Sequence, residues 1–163
     1  KKDEGLKKTN MYGWHSTTDM HKNPEYQHLV DELHMAQEEI YEDECLDNEP
    51  FLGNMWANIN YKDGFNRPHI HPNSLWSGVY YVKTPEKCGH LKLEDTRTMS
   101  LMSRPRKTNK EEPKHLWREV HFEPKAGRLI MFPSYVNHCV DPNESDDLRI
   151  SVSFNFLQTG MFV

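Results

Sequence analysis

Near its end the chain runs RISVSFNFL, residues 149–157, with a strict period of two. In an extended strand Arg149, Ser151, Ser153 and Asn155 share one face, while Ile150, Val152, Phe154 and Phe156 share the other. The apolar face belongs in a core. An arginine followed by small hydroxyl groups suits the inner wall of a barrel as well as it suits water. An arginine on such a wall needs an anion, because a buried charge without a partner is costly. A carboxylate gripped by a two-pronged guanidinium contact, with Ser151 beside it, meets that need. Taken alone, Arg149 reads more simply as half of a surface ion pair. Its place shortly after His138 turns the reading toward a site.

Upstream, the pattern predicts a polar arm over residues 1–22 with a short edge strand near Met11–Trp14. Asn23-Pro24 caps and opens a helix over 24–43, in which Leu29, Val30, Leu33, Ala36 and Ile40 recur at spacings of three and four while Glu38, Glu39 and Glu42 face solvent. That helix reads as scaffold. From residue 54 the periodicity changes to strands: Met55–Tyr61, a turn at Lys62-Asp63-Gly64, then extended His69–His71 and Leu75–Val82. His90–Leu93, Thr98–Met102, Trp117–Phe122 and Leu129–Phe132 follow. Tyr135–Val140 and Leu148–Leu157 flank the polar turn DPNESDD at 141–147 and form a hairpin. Residues 103–116 are charged, aperiodic and hold two prolines, which makes them a loop: a solvated connection, or a lid. One helix followed by short strands, with turns at roughly 8–12-residue intervals, argues for an all-β sandwich or barrel. A jelly roll with a supporting N-terminal helix fits, open at one mouth where a ligand can enter.

Composition narrows the function classes. The net charge of -5 comes with no long basic run, so nucleic acid is not an expected partner. No apolar stretch approaches the roughly 18 residues a membrane helix needs, and no signal peptide is legible. Cys45, Cys88 and Cys139 have no CxxC spacing and read as reduced thiols of a cytoplasmic protein. The chain starts at Lys1 rather than at methionine, so the full extent of the protein is left open.

Ten histidines raise the question of a metal. His69 and His71, two apart on one strand, can face a single ion, and His138 lies far downstream. Either element alone is an ordinary coincidence. HxH, a later histidine and an arginine on the next strand together suit an iron site with coordination positions left open.

Three stretches, HIHPNSLWSGVYYV, GRLIMFPSYVNH and RISVSFN, carry a resemblance in their order and spacing over residues 54–157. They resemble the 2-oxoglutarate- and Fe(II)-dependent dioxygenases, in particular the small prolyl-hydroxylase-like oxygenases of marine phages and bacteria. The resemblance implies a double-stranded β-helix, cupin-like, forming the core of a single domain over 1–163. It implies Fe(II) held by His69, His71 and His138, with 2-oxoglutarate and O2 as co-substrates and ascorbate as reductant. Arg149 would pair with the far carboxylate of 2-oxoglutarate, Ser151 would complete an Arg-x-Ser motif, and Tyr81, or Tyr61 in its stead, would help. Relatives of this type act on peptidyl or free amino acids, which implies hydroxylation of such a substrate with release of succinate and CO2. Trp56, Asn58, Trp76 and Tyr80 are candidates for the mouth, each equally readable as packing.

One position departs from the pattern: His71 stands where these enzymes carry an acid. Three arrangements follow. All three histidines bind; or His71 steps back behind a water; or an acid from elsewhere, such as Asp63 or Glu94, completes the shell. The sequence also admits a cupin-type three-histidine iron dioxygenase that uses no 2-oxoglutarate, a three-histidine zinc enzyme, and a non-catalytic metal- or sugar-binding jelly roll.

Overall fold

The structure, a computed structural model, describes residues 4–46, 49–97 and 117–158. Its centre is the alternating strand from which the sequence is best read, β8 (Arg149–Leu157), lying between β2 (Phe51–His69) and β3 (Trp76–Lys83). Pairing with β2 runs antiparallel from Phe51 opposite Leu157 to Asn60 opposite Arg149, and β3 pairs along the other edge from Trp76 opposite Phe156. Outside these lie β6 (Leu129–Pro133), beside β3, and β7 (His138–Val140), β4 (Leu91–Glu94) and β5 (Glu119–Phe122), beyond β2. β1 (Asn10–His15) adds to β2 as well. The result is the expected all-β jelly roll, a double-stranded β-helix with one supporting helix.

Two apolar clusters follow from the alternation. On one side of β8, Val152, Phe154 and Phe156 pack with Leu52, Met55 and Trp76 against Val30 and Leu33 of the helix α1 (Gln27–Asp43). The helix is amphipathic as predicted, and Asn23 accepts a hydrogen bond from the Glu25 amide at the head of the short 3-10 turn that leads into it. Between the strands, Tyr81, Leu91, Ile130 and Phe132 form a second cluster. Phe154 is fully buried and its ring lies over Gly78 of β3, where any β-carbon would collide with it. No helix among the described residues is long and apolar enough to cross a membrane.

The structure corrects several sequence expectations. Lys62-Asp63-Gly64 does not end a strand; β2 runs through it. Asp63 has φ 63° and the register to β1 jumps there, so the left-handed turn chemistry makes a bulge instead of a hairpin. β2 then stops at His69, which leaves Ile70 and His71 beyond the strand, before a turn in which Asn73 has φ 68°. Tyr135 and Val136 belong to a turn closed by the Val136 amide on the Pro133 carbonyl at 3.0 Å, so β7 begins only at His138, and it pairs with β2 and β4 instead of forming the expected hairpin with β8. The arm is more than an arm. After β1 it continues along β2, where Met55 donates to the Thr18 carbonyl at 2.9 Å. The expected strand Thr98–Met102 and the loop 103–116 lie outside the described residues.

The packing of Phe154 carries a prediction. Phe154→Ala should destabilise the fold by about 3–5 kcal/mol, as a fully buried aromatic lost from a core. Urea denaturation reads this as a lower midpoint at an unchanged m-value. A loss below about 1 kcal/mol would contradict the central role assigned to this ring.

Candidate metal centre and its cavity

Where β2 ends and β7 begins, His69 and His138 stand opposite each other in register. His71, just past the strand end, swings back to meet them. One ring nitrogen from each of the three lies within 4.8 Å of the others. The Nδ1 of His69 bonds to the Arg67 carbonyl at 2.7 Å, and the Nδ1 of His138 bonds to the Val136 carbonyl at 2.9 Å. A carbonyl can only accept, so each Nδ1 carries the proton and each Nε2 keeps its lone pair. That is the tautomer a metal ligand needs. Burial holds the imidazoles neutral: His71 is lowered to about 3, by burial first and then by His138 and His69, and His138 to about 4 by burial and by His69. Three neutral, converging nitrogens fit a divalent transition metal. The acids weighed in the sequence do not join them. Asp63 is exposed at the bulge, and Glu94 accepts a hydrogen bond from Asn137 at 2.5 Å. Among the described residues the cluster is all histidine.

The three histidines open onto a cavity of about 310 Å³. Its floor is the polar face of β8, with Arg149, Ser151, Ser153 and Asn155 all lining it. The pairing with β2 adds a parallel row, because Asn60 stands opposite Arg149, Asn58 opposite Ser151 and Trp56 opposite Ser153. Tyr81 lies opposite Ser151 from the other edge. Burial pushes the Tyr81 phenol up to about 12, so it is a neutral hydroxyl able to donate. Among the described residues no aspartate or glutamate lines the cavity, while Lys8 and Arg149 do.

Arg149 is 1% exposed. Its guanidinium donates to backbone carbonyls and a side-chain amide oxygen: Nη1 to Cys88 and to Asp141 at 3.1 Å, Nη2 to Gly64 at 3.3 Å, and Nε to Asn60 Oδ1 at 3.4 Å. The nearby Asp141 carboxylate is paired with Lys92 at 2.8 Å. So four of the five donors are satisfied by neutral oxygens, and among the described residues no carboxylate forms an ion pair with the guanidinium. This modifies the expected two-pronged grip, because four contacts leave one of five N–H groups for a ligand.

Tyr61 is placed differently from the expectation. It has the opposite parity to Asn58 and Asn60 on β2, is 49% exposed and does not line the cavity. Trp76 and Tyr80 likewise face the helix-side core, while Trp56 and Asn58 do reach the cavity. Sequence reasoning missed Asn54, Asn60 and His15, which also line it. The signal was available: Asn54, Trp56, Asn58 and Asn60 repeat the inverted alternation of the last strand. His15 stacks on Trp56 with ring centroids 5.4 Å apart.

Comparison with known proteins adds to this geometry. A family model described as "Putative 2OG-Fe(II) oxygenase" matches residues 54–155. No curated protein sequence matches the chain. Among solved structures, a 2OG-Fe(II) oxygenase family oxidoreductase from Burkholderia pseudomallei is similar with a TM-score of 0.60 at 16% identity, over 83% of this chain and 57% of its own. A prolyl-4-hydroxylase from Pseudomonas putida is similar with a TM-score of 0.62 at 18% identity, over 91% of this chain and 72% of its own. The α-ketoglutarate-dependent epimerase SnoN of nogalamycin biosynthesis is similar with a TM-score of 0.61 at 14% identity, over 86% of this chain and 61% of its own. At these identities the likeness is one of fold, and the chain spans less than two thirds of the Burkholderia protein and of the epimerase.

The depressed histidines set a pH dependence. An unfolded histidine titrates near the ordinary 6.5, whereas folded His71 and His138 resist protonation down to about 3 and 4. Below about pH 6.5 the unfolded chain therefore binds protons that the folded chain does not, and metal-free stability falls as pH falls. Urea denaturation between pH 7 and 4.5 should show that slope, reduced in His71→Gln. Equal slopes in the two proteins would mean that His71 is not held neutral by the fold.

Proposed function

The chain belongs to the putative 2OG-Fe(II) oxygenase family, and we propose that it hydroxylates a peptidyl or free amino-acid substrate with Fe(II) held by His69, His71 and His138. The observation that carries this reading is one of charge. A buried guanidinium without an ion-pair partner and a three-nitrogen metal site share a cavity that no acid lines among the described residues. Such a cavity demands a small dianion, and 2-oxoglutarate is one. Iron, with 2-oxoglutarate and O2 as co-substrates, would supply the oxidising chemistry, one oxygen atom going to the substrate and the other to succinate as the keto acid loses CO2.

The residues of this chain do the rest. The carbonyls of Arg67 and Val136 orient His69 and His138 through their Nδ1 protons, which keeps both Nε2 atoms available. Arg149 offers its remaining N–H to the far carboxylate, with the hydroxyls of Ser151 and Tyr81 beside it on the same row. A carboxylate held at Arg149 would leave the keto-acid end in the same cavity as the three histidines. Trp56, whose ring centroid is 5.9 Å from that of His71, flanks the space left for substrate. Ascorbate serves as reductant for iron lost to oxidation without substrate turnover.

The all-histidine donor set favours one rival, a three-histidine centre that consumes oxygen without 2-oxoglutarate. One experiment separates them. With Fe(II), ascorbate and O2 but no added substrate, the protein should form succinate slowly from 2-oxoglutarate. His138→Ala should abolish it. Arg149→Ala should retain metal and weaken 2-oxoglutarate binding by about 10- to 100-fold, the loss of a charge-assisted contact. Oxygen uptake unaffected by 2-oxoglutarate, or 2-oxoglutarate bound normally by Arg149→Ala, would overturn the assignment. Tyr81→Phe should raise the apparent KM for 2-oxoglutarate several-fold, about 1 kcal/mol for one hydrogen bond, while Tyr61→Phe leaves it unchanged. Equal effects of the two would remove Tyr81 from the cavity's role.

A further inference from the structure

The three histidines are not held alike. His69 and His138 sit in a paired ladder, opposite each other. His71 does not, because β2 has already ended. Its backbone amide instead donates to the carbonyl of Ser134 at 3.1 Å. Ser134 lies in the turn between β6 and β7, and the same turn supplies the Val136 carbonyl that orients the His138 ring. Two of the three candidate ligands therefore depend on where this one turn stands.

What fixes the turn is a buried relay of hydroxyls and amides. Ser134 is 0% exposed and Ser77, on β3, is 1% exposed. Their Oγ atoms are 2.7 Å apart, and Ser77 Oγ donates to Asn155 Oδ1 at 2.7 Å. With the Ser77 proton used there, Ser134 is the donor to Ser77. Asn155 Nδ2 then donates to Asn54 Oδ1 at 2.6 Å, so the donation runs in one direction from the turn to β2. The Ser134 amide adds a bond to the Leu75 carbonyl at 3.0 Å. Serines buried this deeply cost desolvation that alanine would not, and a fully satisfied network yields a fixed geometry in exchange.

We infer that Ser134 and Ser77 are positioning residues for the metal site: they hold the 133–136 turn so that His71 meets the other two imidazoles. Neither touches the metal. The inference rests on the three-histidine reading above, and the test keeps the two apart. Co(II) affinity of the metal-free protein is measured for wild type, Ser134→Ala, His71→Ala and the double variant, with Ser77→Ala entering the same cycle if Ser134→Ala does not fold. Ser134→Ala should lose about 10- to 100-fold in affinity, the usual effect of removing support behind a ligand. In the His71→Ala background the same substitution should cost clearly less, because only the support of His138 through the Val136 carbonyl remains to be lost. A merely structural role would lower the melting temperature while leaving Co(II) affinity unchanged, or would cost the same in both backgrounds; either result overturns the inference. Co(II) bound equally well by His138→Ala would instead refute the metal site itself.

Discussion

The antiparallel pairing of β8 with β2 is the constraint on which the rest depends. Its register sets Arg149 opposite Asn60 and Ser151 opposite Asn58, and the two-residue period then assigns every side chain of both strands to one of two worlds. A slip of one residue would carry Phe154 and Phe156 into the cavity and turn Arg149 onto the apolar face of the strand. Both exchanges are prohibitive, since the first exposes large apolar surface and the second buries a charge among apolar groups. The fold and the site are thus specified by the same ladder. Val152, Phe154 and Phe156 anchor it from one face, and the polar row occupies the other.

Much of this was legible because strand alternation is a strong local signal. The last strand, the helix over 24–43 and the meeting of His69, His71 and His138 all followed from spacing and resemblance. What escaped did so for physical reasons. Lys62-Asp63-Gly64 has the residues of a tight turn, and only the tertiary pairing with β1 and with Asn143, whose carbonyl accepts from the Asp63 amide at 2.7 Å, turns it into a bulge. Tyr61 looks interchangeable with Tyr81 in sequence because both close the strands read there, Met55–Tyr61 and Leu75–Val82; parity against a neighbouring strand, invisible without register, separates them. His69-Ile70-His71 was read as one strand, and the strand in fact ends at its first residue. The convergence predicted for the two histidines is present by a different route, through the Ser134 turn.

That route bears on why an all-histidine site is tenable here. A carboxylate ligand brings its own charge and attracts a cation over distance; a neutral imidazole does not, and relies on being placed. Each histidine in this cluster has a positional support from the backbone: the Arg67 and Val136 carbonyls for two rings, and the Ser134 carbonyl for the third residue's amide. Burial further removes the competing proton, with His71 and His138 held well below their ordinary range.

Charge balance closes the argument. Three neutral ligands would leave a divalent ion its full charge, and Arg149 adds one more positive charge on the same floor. Among the described residues no acid lines the cavity to offset either. A fold that arranged this without an anion in prospect would carry a large electrostatic penalty, because among the described residues the acceptors on the guanidinium are neutral carbonyl and amide oxygens. On the proposed reading, a ligand with two carboxylates would relieve it at both ends, one near the metal and one near Arg149. With His71 in place of an acid, the cavity's need for such a dianion would be the greater.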